Sequence, residues 1–540
     1  MSSTPPSPRT RVPAAVFEPA QQDRTPRSMA GMNVVMFITD QERAIQHFPE
    51  GWAEEHLHGL TRLQRHGVTF ANAFTNSCMC SPARTTLMTG YFPAQHGVKY
   101  TLEEDMPAES YAQVEMPLDL PNIASVMSAA GYSVVYKGKW HLSKPAGERW
   151  MPDDVGKYGF TRWNPRDAGA NQDVSEAGGG KVDNDGRFMT EDGDMERGNE
   201  GALAYLRSHA ARQQPFFMII SLVNPHDVLF YPNVYTQAGY DDSWLQGQIG
   251  LPDTVDEDLS TKPVVQREFV AAFNKGGGSL DDDQMKRDYL NFYGNLMRAS
   301  DRYLVDVLDA LEANGLMDDT VVIRTADHGE MGLAHGGLRQ KNYNAYEESL
   351  RVPLVYANRR LYPQAVTSDA LVSHVDFLPT LATLFGAPRH ARAEWEGVDY
   401  AAQVLSPRDA PESQDYTVFT WDDWQAGQAS GPYLPPPNHI VSVRERRWKL
   451  SRYYDANGKV PGQWEMYDLD TDPSEKENLT RRGYTRTPDQ EFHFRRLKRK
   501  LAAIRRSRLA PLPTTQQSPI TRNTLAGIQA AAGAAAQPAT

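Results

Sequence analysis

Asp40 with Gln41 and Asp327 with His328 are two adjacent pairs of oxygen- and nitrogen-bearing side chains, and each pair closes an apolar run. Together they offer a divalent cation two carboxylates, an amide oxygen and an imidazole, with a summed charge of about -2 that matches such an ion. A single Asp at the end of a strand is ordinarily a helix cap or turn former. Two such pairs in one sheet are harder to explain that way, and point to metal binding. A second set, Arg84, Lys139, His141, His226 and Lys341, is cationic or hydrogen bonding. A lone Lys or His is most often a surface residue, but "GKWH" and "NPH" directly follow apolar runs. Arg forks onto a tetrahedral oxyanion and Lys places a point charge beside it. A metal ringed by cations calls for an anion between them, and a tetrahedral sulfate or phosphate ester fits, with the metal as Lewis acid.

Both cysteines of the chain fall in "CMCSPARTTLMTG", as Cys78 and Cys80. Pro82 suits a first helical turn, so Cys80 and Ser81 are expected at a helix N-terminus, where amide groups and the dipole attract anions and lower a thiol pKa. That makes Cys80 a candidate nucleophile; the plainer alternative is a small buried hydrophobe, which is how Cys78 reads. A C-x-C pair alone supplies too few ligands for structural zinc, and two thiols give no disulfide framework.

The elements that must carry these groups read as βα units. "NVVMFITD" (33–40), "YSVVYKGKWH" (132–141), "PFFMIISLVNPH" (215–226), "TVVIRTADHG" (320–329) and "VPLVYAN" (352–358) are short apolar strands running into polar residues. The clearest helix is "RDYLNFYGNLMRASDRYLVDVLDALEANG", with Leu304, Val307, Leu308 and Leu311 on one face and Gly315 near its end. Alternation of this kind predicts an α/β fold with a large, mostly parallel central sheet flanked by helices. Ligands gather beyond the carboxyl ends of such strands, so the runs ending at Asp40, His141, His226 and Asp327 should converge. Residues 152–201 and "FNKGGGSLDDD" read as Gly- and Asp-rich loops, either disordered or closing over a site.

Beyond residue 409 the texture becomes short strands and turns followed by a basic helix, "DQEFHFRRLKRKLAAIRR", whose charge reads as a solvated face. The expected organisation is a disordered leader at 1–31, a catalytic α/β domain at 32–408, a smaller antiparallel sheet plus helix at 409–509, and a flexible tail at 510–540. A net charge of -12 argues against nucleic acid and anionic membrane as partners. The leader has no continuous apolar core and no later segment approaches a membrane span, which leads to the expectation of a cytoplasmic protein without signal peptide. The basic C-terminal helix and tail leave a homo-oligomer open.

"CSPARTTLMTG" resembles the first signature of the type I sulfatases of the alkaline phosphatase superfamily, in which a Cys in C-x-P-x-R is oxidised to formylglycine by a separate formylglycine-generating enzyme. "GYSVVYKGKWH" resembles their second signature. "TADHGEMGLAHGGLRQKNYNAYEESLRVPL" and "WEMYDLDTDPSEKENL" resemble a later metal and lysine segment and the C-terminal subdomain. The likeness runs in family order from about Asn33 to Leu479.

This resemblance implies that Cys80 becomes formylglycine and, as its hydrate, attacks sulfur, with Asp327 placed to help deprotonate the attacking hydroxyl. It further implies that Asp40, Gln41, Asp327 and His328, with the modified Cys80, hold one divalent ion. Arg84 would support the diol, Lys139 and Lys341 would clamp sulfate, and His226 or Lys341 would protonate the leaving oxygen. His141 would take the proton that expels sulfate. Many relatives carry Asp-Asp and Asp-Asn where this chain has Asp40-Gln41 and Asp327-His328. Calcium suits the family and all-oxygen ligands, whereas an imidazole admits manganese or zinc. Asp-Gln with Asp-His also resembles the phosphonate monoester hydrolases. The expected activity is therefore hydrolysis of sulfate monoesters, arylsulfatase-like, with a promiscuous phosphonate monoester or phosphodiester hydrolase as the sibling reading and an inactive anion-binding scaffold as a distant one. Those three ester classes each present about one negative charge, so one site can accept them all.

Overall fold

The computed structural model describes residues 28–44, 47–103, 113–193, 199–428 and 433–512. The expected leader lies outside the described residues apart from 28–31, and the expected tail apart from 510–512. A seven-stranded sheet comprises β1 (Asn33–Thr39), β2 (Gly67–Phe74), β3 (Ser133–Gly138), β4 (Phe216–Ser221), β5 (Thr320–Ala326), β6 (Leu354–Ala357) and β7 (Val366–Ser373), in the order β3-β4-β1-β5-β6-β2-β7. All neighbours pair in parallel except β6, which is antiparallel to both β5 and β2. A second, fully antiparallel sheet comprises β8 (Tyr416–Trp421), β9 (His439–Glu445), β10 (Trp448–Tyr454) and β11 (Gln463–Asp468).

β1 explains why the apolar runs are continuous. It sits between β4 and β5 and is covered on both faces: Val34, Met36 and Ile38 enter one core, Val35 and Phe37 the other. A strand with two buried faces has no reason to alternate polar with apolar residues. β2 and β7, at the far edge, carry Thr, Asn, Ser and Asp and stand out much less from the sequence.

Four helices position the site or brace the two sheets: α1 (Cys80–Thr89), α2 (Val264–Gly277), α3 (Asp283–Ala313) and α4 (Pro488–Arg506). α3 buries Leu304, Val307, Leu308 and Leu311 in the second core, and Gly315 follows it at φ +66°, a left-handed conformation that costs glycine little. α4 starts in a capping box, in which Gln490 N donates to Thr487 Oγ1 and Thr487 N donates to Gln490 Oε1. It lays Leu497, Leu501 and Ile504 on the small sheet, while Arg496 and Lys500 pair with Glu445.

One expectation needs correction. "FNKGG" is not loop but the end of α2, whose amphipathic pattern carries through it to a glycine pair. Residues 152–201 include short helices at Pro152–Gly156 and Asn184–Thr190, and Asp167 and Asp185 of this segment accept backbone hydrogen bonds from the residues after β3 and β4. Among the described residues no helix is long and apolar enough to cross a membrane.

Candidate active site

Because β3, β4, β1 and β5 are parallel neighbours, their carboxyl ends form one continuous rim, and the four runs do converge there. Asp40 and Gln41 leave β1, Asp327 and His328 leave β5, and α1 presents Cys80 as its first residue between them. One ligand atom from each of Asp40, Cys80, Asp327 and His328 lies within 4.8 Å of all the others, and all four residues are buried. Cys80 Sγ is 3.6 Å from Asp40 Oδ1 and 3.4 Å from His328 Nε2.

The two carboxylates each divide their oxygens between two tasks. Arg84, one turn along α1 from Cys80, places Nε 3.0 Å from Asp327 Oδ2 and Nη2 3.1 Å from Asp40 Oδ2, and Lys139 Nζ lies 2.6 Å from the same Asp40 oxygen. The Oδ1 atoms remain on the cysteine side, 3.9 Å and 3.7 Å from His328 Nε2. Burial would raise Asp40, but Lys139, His226, Arg84 and His328 hold it well below the usual carboxylate range. Burial and the adjacent Asp40 charge push Asp327 up to about 6. For Cys80, burial and Asp40 oppose the thiolate, yet Lys139, Lys341 and His328 bring the thiol well below its ordinary value.

These donors fit a divalent cation. His328 Nδ1 faces its neighbour Gly329 O at 3.1 Å, which leaves Nε2 as the atom turned to the cluster. Gln41, at φ +66°, has its amide oxygen turned toward Lys341 Nζ at 2.6 Å. Its amide nitrogen donates to Glu330 Oε2 at 2.5 Å.

The remaining expected residues stand around the same point. His141 sits at φ +52°, its backbone N and that of Trp140 both donating to the Asp167 carboxylate at 2.7 Å. Its Nε2 is 2.5 Å from Leu102 O, so that nitrogen carries the proton, and Nδ1 is a buried acceptor with no partner among the described residues. His226 follows β4 on a turn whose Val223 and Asn224 amides donate to Asp185. Burial lowers His226 to about 4, against the pull of Asp40. Cys78, by contrast, packs among apolar residues, where burial pushes its thiol up.

Cys80, His141, His226 and Lys341 open into a cavity of about 660 Å³. They line its floor; Gly169–Asp173, Phe269 and Phe273 of α2, Glu103 and Gly427 line its walls. Four functional neighbours carry no signal as isolated residues: Glu330, Asp167, Asp185 and Glu103. Glu330 lies only three residues beyond Asp327, and that proximity is the one clue the sequence held.

The sulfatase family model matches residues 32–387, and a second model, the N-sulphoglucosamine sulphohydrolase C-terminal region, matches residues 336–507. A Delta 4,5-hexuronate-2-O-sulfatase of Bacteroides thetaiotaomicron is 26% identical over 424 residues, covering 77% of this chain and 77% of that protein. Among solved structures, a 2-O GAG sulfatase superposes with TM-score 0.65 at 22% identity, covering 88% of this chain and 92% of the other. The phosphonate monoester hydrolase of Agrobacterium radiobacter superposes with TM-score 0.60 at 20% identity, covering 88% and 96%.

Proposed function

Since this chain belongs to the sulfatase family and is a sulfuric ester hydrolase, we propose that it cleaves sulfate monoesters at Cys80 after oxidation of that residue to formylglycine by a separate maturation enzyme. The observation that supports this most directly is the position of Cys80. It stands first in a helix, within 3.6 Å of Asp40 Oδ1 and 3.4 Å of His328 Nε2, at the floor of the cavity.

Asp40, Gln41, Asp327 and His328 would hold one divalent ion, which supplies Lewis-acid activation of the nucleophile and charge neutralisation at the ester. Lys139 and Lys341 place ammonium groups where sulfate oxygens would lie, and Arg84 keeps the two carboxylates in register. One hydroxyl of the formylglycine hydrate gives its proton to Asp327 and attacks sulfur as the bond to the leaving oxygen breaks, and that oxygen takes a proton from Lys341 or His226. His141 then removes the proton of the second hydroxyl with Nδ1, the nitrogen left free by the bond to Leu102 O; the carbon–oxygen bond to sulfate breaks and the aldehyde returns. Water need not attack sulfur at any stage.

The cavity wall bears on the alcohol. Glu103 and Asp173 line it, and among the described lining residues Lys341 is the sole Lys or Arg. Glu103 is 4% exposed, and burial, then Asp423, raises it well above the usual carboxylate range. Such a wall suits a neutral or cationic alcohol better than the anionic hexuronate named for the relative. The Gln41 and His328 pair also favours a second activity on phosphonate monoesters and phosphodiesters. The deciding measurement is kcat/KM for an aryl sulfate against the matching aryl phosphonate monoester, with formylglycine confirmed by peptide mass. Sulfate preference supports the first reading, and equal or higher phosphonate turnover moves the chain to the second. Absence of both activities in converted protein would sink the proposal.

A further inference from the structure

Glu330 takes no part in the ester chemistry, yet it is fully buried and accepts four hydrogen bonds. Three reach Oε1: from Tyr289 OH at 2.7 Å, Gln340 N at 2.9 Å and Gly332 N at 3.1 Å. The fourth, to Oε2, comes from Gln41 Nε2 at 2.5 Å. Four donors aimed at one carboxyl group leave it acting only as an acceptor.

The backbone of Gln41 is already fixed. Its N donates to Asp327 Oδ1 at 3.0 Å, its carbonyl accepts from Tyr293 OH at 2.9 Å, and φ is +66°. What remains free is which end of the amide faces Glu330 and which faces Lys341. A carboxylate can only accept and an ammonium can only donate, so Glu330 on one side and Lys341 on the other orient the amide in a single way: nitrogen to Glu330, oxygen to the site.

We infer that Glu330 is a positioning residue for the cation site, holding Gln41 so that only its oxygen faces the metal. The inference rests on the assignment of Gln41 to that site. It also explains the amide at position 41: a carboxylate there would face Glu330 at hydrogen-bond distance, and two like charges cannot share that contact cheaply. In Glu330→Gln the carbonyl oxygen stays with the three donors on its side, and the new amide nitrogen meets that of Gln41. Gln41 then has to turn its NH2 toward the cation.

The test is titration of manganese(II) alone into chelator-stripped full-length protein, followed by calorimetry, with thermal melts as the control for folding. Glu330→Gln should weaken binding about 10- to 100-fold, the range for loss of a group that orients a ligand. Tyr289→Phe, which removes a donor to Glu330 but leaves its bond to Gln41, should bind within about threefold of the parent, on the scale of one lost neutral hydrogen bond. Gln41→Glu alone should bind weakly, and the reciprocal pair Gln41→Glu with Glu330→Gln should recover most of the loss, since the carboxylate–amide contact is rebuilt in reverse. A folded Glu330→Gln protein that binds like the parent overturns the inference. So does an equal loss in Tyr289→Phe, or an unfolded double variant, because those are results of a general structural brace. If the parent itself binds no manganese(II), calcium(II) or zinc(II), it is the cation-site assignment that fails instead.

Discussion

Two buried charge clusters among the described residues are built to opposite ends. Around Cys80 the carboxylates of Asp40 and Asp327 give one oxygen each to Arg84 and keep the other turned toward His328 and the cavity floor. Between the two sheets, Glu347 pairs with Arg444 at 3.2 Å and Lys449 at 3.3 Å, and Lys449 also pairs with Glu475. In the same region Glu257 pairs with His335 at 2.7 Å and Lys262 at 2.9 Å, and His335 stacks on Tyr346 with ring centroids 3.6 Å apart. In that second cluster the charges are spent on one another. Burial of charge is therefore not what distinguishes a functional site here; the convergence of ligand atoms from Asp40, Cys80, Asp327 and His328 on one point beside a cavity is.

Replacing Cys80 with Ala should separate the two clusters most sharply. Turnover is expected to fall by about 10⁴-fold or more, on the scale seen when a nucleophile is removed, while the melting temperature barely moves. Lys449→Met should do the reverse: leaving Glu347 and Glu475 without their shared ammonium costs about 3–5 kcal/mol of stability, with kcat per folded molecule unchanged. A Lys449→Met protein as stable as the parent would show that the inter-sheet cluster is not a brace.

His328→Ala should weaken cation binding on the order of 100-fold while changing stability of the cation-free protein little, and unchanged binding would remove His328 from the ligand set. Asp173→Asn should leave kcat/KM for a neutral aryl sulfate within about threefold and lower it further for an ester with an ammonium on the alcohol, as expected of a charge that acts only on the alcohol. Equal effects on both esters would mean that Asp173 does not sort substrates.

The smallest effect is in pH. Burial disfavours charge on His335, but Glu257 and Glu348 raise it from 6.5 to about 9. Its folded pKa lies above its unfolded one, so its contribution is complete below about pH 6.5 and is lost as pH rises through 9. Glu348 is held at about 2 against burial, chiefly by His335, so its contribution is present above about 4.5 and lost toward pH 2. Melting temperature should decline by about a few degrees from pH 6.5 to 9.5, and His335→Gln should flatten that slope. A profile equally steep in the variant would place the titrating group elsewhere.

The strands that deliver the site were legible because they are buried on both faces, and so show as unbroken apolar runs. β2 and β7, at the edge of the sheet, were not, and "FNKGG" was mistaken for loop because its glycines mask the helix they end. Cys80 and Arg84 were readable together through the C-x-P-x-R resemblance, and the helix then sets them one turn apart on α1. Glu330, Asp167 and Asp185 were not, because an acidic residue in a polar loop looks alike whether it faces water or a buried amide.

Local pattern in the chain was enough to determine the α/β order, the strand ends and the types of group they carry. Which oxygen of Asp40 faces Lys139, which end of the Gln41 amide faces Glu330, and which nitrogen of His141 stays free were decided by contacts between residues tens to hundreds of positions apart. Hydrogen-bond direction depends on the partner across the fold, and that partner exists only once the sheet has brought it there.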